Sequence, residues 1–124
     1  MYEIFTNTHF SSGHHLRNYP GNCEKPHGHN WKVKVSIRAD ALDELGMGLD
    51  FRELKAALKV IIDDLDHRDL NEHQAFQQDN PSSENIARHI FSELKKSLSS
   101  DRYRPHKVTV LETDASGVSY WEGE

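Results

Sequence analysis

His29-Asn30-Trp31-Lys32-Val33-Lys34-Val35-Ser36-Ile37-Arg38-Ala39 decides the fold. Trp31, Val33, Val35, Ile37 and Ala39 alternate with Lys32, Lys34, Ser36 and Arg38. In extended backbone, alternate residues share a face, so this is a strand with one apolar and one wet side. Residues 2–12 read as a second strand, Tyr2, Ile4 and Thr6 alternating with Glu3, Phe5 and Asn7. A helix is expected from Asp50, a good N-cap, with Glu53 three residues on in a capping-box-like pair. Phe51, Leu54, Leu58, Ile61, Ile62 and Leu65 then form an apolar stripe at helical spacing. A second helix is expected after Pro81, capped by Ser82 or Ser83, burying Ile86, Ile90, Phe91, Leu94 and Leu98. Ser97–Pro105 is polar and reads as a loop. Two closing strands follow, near Lys107–Thr113 and Val118–Trp121, around a turn at Ser116-Gly117.

The order is ββααββ: an α+β fold with a four-stranded antiparallel sheet and both helices on one face. Its two edges and bare face invite pairing with further copies of the protein. The 35% apolar content is thin for a self-sufficient core and points the same way. At 124 residues the chain reads as one domain, 1–124. A formal net charge of −5 argues against a general nucleic-acid binder. A single cysteine excludes an internal disulfide. No apolar run reaches the roughly 18–20 residues of a membrane span, and none resembles a signal peptide. The expectation is a cytoplasmic protein with no membrane or nucleic-acid partner.

The chemistry lies just upstream, in Cys23-Glu24-Lys25-Pro26-His27-Gly28-His29. His27 and His29 project from one face of an extended backbone, and Gly28 puts no side chain between them. His14 or His15 supplies a third imidazole. Three neutral histidines and an open position describe a catalytic zinc site. A closed structural site of Cys23, His27, His29 and His14 fits the spacing too, as do unconnected surface histidines. Nine histidines in a sequence this short favour metal binding. The polar neighbours of Cys23 suit a partly exposed thiol with thiolate character, fit for proton abstraction. His67 follows Asp66 at the end of the first helix, where a histidine either answers the helix dipole or is charged by its acidic neighbour. Glu112 follows the apolar run Val108–Leu111. On the wet face it is unremarkable; in a pocket it needs a strong donor, such as the two parallel N–H groups of a guanidine-like heterocycle edge.

In order, Phe10-Ser11-Ser12-Gly13-His14, Cys23 with His27-Gly28-His29, Asp50-Phe51 with Leu54-Lys55, Leu65-Asp66-His67 with Leu70-Asn71, Asn80-Pro81-Ser82-Ser83-Glu84-Asn85 and Glu112-Thr113 resemble the motifs of the 6-pyruvoyl-tetrahydropterin synthase family, the bacterial 6-carboxy-tetrahydropterin synthase branch above all. The resemblance implies a tunnelling fold, in which three subunits join their sheets into a twelve-stranded barrel, as a homotrimer or a homohexamer. It implies Zn2+ on His14, His27 and His29. It implies Cys23 as general base, His67 as proton relay with Asp66 or Glu112, and Glu112 holding the pterin, with Ser82 and Thr113 adding hydroxyl contacts. The implied substrate is 7,8-dihydroneopterin triphosphate. The implied products are 6-carboxy-tetrahydropterin, acetaldehyde and triphosphate, in queuosine biosynthesis.

Three departures from the family pattern stand out. Ser12-Gly13 replaces small alanines, Ser82 replaces a threonine, and Glu24 directly follows Cys23. A folate-pathway branch uses a glutamate at that spacing to make a 6-hydroxymethyl pterin, and some members carry both residues. Glu24 therefore joins the candidate substrate-contacting residues. A dual or folate-branch enzyme, a pyruvoyl-forming synthase and a non-catalytic zinc-stabilised binding module stand as alternatives.

Overall fold

The computed structural model describes residues 1–19 and 25–123. The elements are β1 (Tyr2–His14), β2 (His27–Ala39), α1 (Phe51–Leu65), two single-turn 3-10 helices (Leu70–Glu72 and Gln74–Phe76), α2 (Ser83–Ser97), β3 (Tyr103–Leu111) and β4 (Gly117–Tyr120). They form one antiparallel sheet in the order β1-β2-β3-β4. The first two strands pair without interruption from Tyr2 opposite Ala39 to His14 opposite His27. A bulge interrupts the β2–β3 register after Ser36.

The alternation of β2 resolves as expected: Trp31, Val33, Val35, Ile37 and Ala39 are buried against the helices. Both helices cover that face, α1 on β1 and α2 on β3 and β4. Leu54, Leu58, Ile61, Ile62 and Leu65 from α1, and Ile86, Ala87, Ile90, Phe91 and Leu94 from α2, complete the core with Phe10, Val108 and Val110. Asp50 caps α1 by accepting from the Arg52 amide, and Ser82 caps α2 by accepting from the Asn85 amide.

Some boundaries move. Phe51 leaves the apolar stripe: it is 59% exposed, because the first helical position turns away from the sheet. Tyr103–Pro105, expected in a loop, begins β3. That strand ends at Leu111, so Glu112 and Thr113 lie just past it. The turn closes with the Glu112 amide donating to the Ser116 carbonyl, and Gly117 is required there. A Cβ at 117 would lie 2.5 Å from the Val110 carbonyl oxygen.

Candidate metal centre and adjoining cleft

The parity of β1 and its register with β2 build the site. Phe10, Ser12 and His14 face the helices; opposite them on β2 stand Trp31, His29 and His27. The rings of His14 and His27 lie 4.7 Å apart, those of His27 and His29 4.7 Å, and those of His14 and His29 5.3 Å, all edge-on. Trp31 floors the group, 4.9 Å from His14 and 5.2 Å from His29, with its indole N–H donating to the Ser12 carbonyl. His14 joins this group through its inward parity. His15, on the opposite parity, is held elsewhere, its amide and carbonyl both bonded to the Asn71 side chain.

Glu112 enters from the end of β3. Its Oε1 lies 2.9 Å from His29 Nε2, 3.2 Å from His14 Nε2 and 3.9 Å from His27 Nε2. These four residues place one ligand atom each within 4.8 Å of one another. Backbone carbonyls set two tautomers: His14 Nδ1–H donates to Pro81 at 2.7 Å and His27 Nδ1–H to Lys25 at 2.9 Å. Both rings then turn Nε2 toward the shared point, where His14 Nε2 also meets the Glu112 carboxylate, the outer-partner arrangement of metal-bound histidines. His29 Nε2 is buried, close to Glu112 but not aligned for a hydrogen bond. Burial first, with Glu112 opposing it and the two neighbouring imidazoles reinforcing it, lowers its pKa from the ordinary histidine value. Three converging imidazole nitrogens, with a carboxylate beside them, fit a borderline-soft divalent ion.

Beside the cluster lies a cleft of about 240 Å³ lined by His14, Leu16, Tyr19, Ser82, Ser83, Glu84 and Glu112. Ser82 reaches it, although its hydroxyl oxygen is engaged as the α2 cap. Leu16 and Tyr19 were not singled out from sequence, and Glu84 entered there only as part of the motif at the start of the second helix. Thr113 lies outside this lining, its hydroxyl accepting from the Ala115 amide within the turn. A larger hollow of about 320 Å³ among Asn7, His9, Lys32, Lys34 and Leu111 holds neither of the ligand clusters found among the described residues. Cys23 and Glu24 lie outside the described residues.

Asp66 and His67 lie at the C-terminus of α1, against the outer edge of β1. The Asp66 carboxylate accepts from the Ser11 amide at 2.8 Å and lies 2.9 Å from His67 Nδ1. Those two contacts, the Ser11 N–H first, hold it below the usual carboxylate range. His67 has a left-handed backbone, φ 55°, and its side chain is 83% exposed. Of the two acids expected to partner it, Asp66 lies beside it and Glu112 does not. The ring is not among the four clustered residues of its own subunit.

A second group, Asp64, His73 and His89, also has ligand-capable atoms in proximity. Hydrogen bonding accounts for it. His73 Nδ1 accepts from the Ala75 amide at 3.0 Å, so neutral His73 carries its proton on Nε2 and gives it to Asp64 at 2.7 Å. That nitrogen has no lone pair to offer an ion.

The sequence matches the profile of the 6-pyruvoyl tetrahydropterin synthase family over residues 3–123. The chain belongs to that family. Among its curated relatives, the 6-carboxy-5,6,7,8-tetrahydropterin synthase of Synechocystis sp. is 34% identical over 98% of this chain and 94% of its own length. The Bacillus subtilis protein of the same name is 31% identical over 96% of this chain and 84% of its own. The solved 6-pyruvoyl tetrahydropterin synthase of Caenorhabditis elegans superposes with a TM-score of 0.86 at 26% identity, covering 98% of this chain and 96% of that one. The four-stranded sheet with two helices is thus the fold of this family, as the resemblance implied.

Proposed function

We propose that this protein is a zinc-dependent lyase that converts 7,8-dihydroneopterin triphosphate to 6-carboxy-5,6,7,8-tetrahydropterin, acetaldehyde and triphosphate, the reaction that serves queuosine biosynthesis. One observation carries the reading. Two imidazoles with backbone-fixed tautomers turn Nε2 toward a third beside a cleft, in a protein akin to enzymes of that name. His14, His27 and His29 would hold the metal. When bound, it supplies Lewis-acid polarisation of the oxygens on the substrate's side arm.

The protein's own residues do the rest. Glu112 lines the cleft, and its carboxylate matches two parallel N–H donors on the amino-pyrimidine edge of a pterin. Burial of the ring in the cleft removes water that would compete for that pair. Ser82 lines the same cleft, and Thr113, in the turn beyond Glu112, would offer a hydroxyl to the substrate from outside it. Cys23 acts as general base on a C–H bond of the substrate's side arm. His67, oriented by Asp66, relays the proton. Because His67 is exposed at the β1 edge, a neighbouring copy paired along that edge carries it into a site built between subunits. A homotrimer, or two stacked as a homohexamer, provides such edges. The proposed place of action is the cytoplasm; among the described residues no helix is long and apolar enough to cross a membrane.

Glu24 supports a second reading, in which its carboxylate directs cleavage to a 6-hydroxymethyl pterin. Product partition tests both. Glu24→Ala keeps most 6-carboxy-tetrahydropterin formation and abolishes any hydroxymethyl product, and Cys23→Ala shows the reverse bias. A wild-type protein that makes only the hydroxymethyl pterin, with Cys23→Ala harmless, would refute the carboxypterin assignment.

A further inference from the structure

His67 occupies an uncomfortable place in the backbone. It follows the C-cap of α1, where helices commonly end in a left-handed glycine. Here a histidine takes that conformation, φ 55°, which side chains with a Cβ disfavour and surrounding structure must enforce. The enforcement comes from β1. The His67 amide donates to the Ser11 carbonyl at 2.6 Å, and the Gly13 amide to the Arg68 carbonyl at 2.9 Å. Between them, the Ser12 hydroxyl donates to the Leu65 carbonyl and accepts from the Arg68 amide at 3.2 Å. One hydroxyl thus grips the backbone on both sides of the Asp66-His67 pair.

Ser12 is only 7% exposed and its bond to the Leu65 carbonyl is buried, so that carbonyl finds no ready water in its place. The Leu65 carbonyl is one of the orphan acceptors of a helix C-terminus, here met from a different element. Ser12 also sits two residues before His14, faces His29 across the strands, and takes the Trp31 indole N–H on its carbonyl. The floor of the metal cluster and the loop carrying His67 are therefore tied through a single residue. Alanine at this position can make the strand but not the hydroxyl bridge.

We infer that Ser12 is a positioning residue, whose hydroxyl holds the Asp66-His67 loop and so aims the His67 imidazole. This rests on the reading of His67 as the proton relay. It assigns a role to a serine where small alanines are the family habit, and it ties the relay geometry of this protein to a hydrogen bond rather than to packing alone.

The test compares Ser12→Ala and Ser12→Thr in the full-length, metal-loaded protein. Three quantities are read: kcat and KM for dihydroneopterin triphosphate, bound metal per subunit, and the imidazole proton resonances of His67, assigned by their loss in His67→Gln. In Ser12→Ala, kcat falls on the order of ten- to a hundredfold, the cost of a misplaced reacting group. KM and metal content stay unchanged, and the His67 resonances shift. Ser12→Thr keeps the hydroxyl and restores the wild-type resonances, with kcat within about threefold of the unaltered protein. Wild-type His67 resonances in Ser12→Ala, or a threonine variant that folds without restoring them, would overturn the inference. A Ser12→Ala protein that fails to fold while Ser12→Thr folds would overturn it too, since the hydroxyl would then be structural. Absence of turnover in the unaltered protein would sink the functional reading alone; the His67 resonances would still decide the role of Ser12.

Discussion

His14→Ala and His27→Ala remove chemically identical candidate ligands from very different surroundings, and their comparison separates metal binding from folding. The His14 side chain is 4% exposed, packs edge-on against Trp31 and donates to the Pro81 carbonyl just before α2. Truncation leaves that carbonyl without its donor, about 1–3 kcal/mol, and opens a hollow beside the indole. Together these cost the metal-free protein roughly 2–4 kcal/mol, or about 10 °C in Tm for a protein of this size. The His27 side chain is 40% exposed, and its Nδ1–H donates to Lys25, two residues away. Its loss costs less than about 1 kcal/mol. Metal affinity falls in both by at least about a hundredfold, the upper end of what loss of an outer partner does. Metal-free melts at matched protomer concentration, with competition titrations against a chromophoric chelator, measure the two quantities apart. Equal destabilisation of the two metal-free variants, or wild-type metal affinity in His27→Ala, would refute the reasoning.

With Glu112 as the proposed pterin anchor, Glu112→Gln replaces an acceptor with a donor that would face the pterin's own donors. Pterin affinity measured by calorimetry falls roughly ten- to a hundredfold, and an unchanged value would refute Glu112 as the pterin anchor. Asp64 gives a pH signature. Its pKa is lowered from 3.8 chiefly by the His73 hydrogen bond, against the opposing effect of burial. A depressed folded-state pKa means that this stabilisation is complete above the unfolded carboxylate value and is lost as pH falls through the lower folded one. Urea melts therefore show Asp64→Asn less stable than wild type at pH 7, with the gap closing below pH 3.8. Sedimentation at micromolar concentration gives a trimer or a multiple of three; a well-folded monomer would contradict a site shared between subunits.

Much of this architecture was legible because its signals are local. The alternation of Trp31 to Ala39 needs only the period of a strand, and the stripe from Leu54 to Leu65 only that of a helix. Phe51 misled because spacing counts it into the stripe while the first turn points it outward. Tyr103–Pro105 misled because a polar edge segment has no apolar alternation to announce it. The candidate metal cluster was half legible. His27 and His29 are local, but the choice of His14 over His15 from the residues themselves depends on strand parity and on Asn71 holding the neighbour. The cleft joins Leu16 and Tyr19 after β1 to Ser83 and Glu84 at the start of α2, contacts no local pattern contains. The hydroxyl of Ser12 looked like a mild exchange for alanine; only the docking of the α1 C-terminus on β1 gives it partners.

Product identification tests the proposed reaction most directly. Zinc-loaded protein is incubated with 7,8-dihydroneopterin triphosphate, and the pterin products are resolved by mass, with acetaldehyde assayed alongside. The expected result is 6-carboxy-5,6,7,8-tetrahydropterin and acetaldehyde in equal amounts, lost on chelation and restored by zinc. Substrate left unconsumed by the fully metal-loaded oligomer, or a hydroxymethyl pterin as sole product, would contradict it.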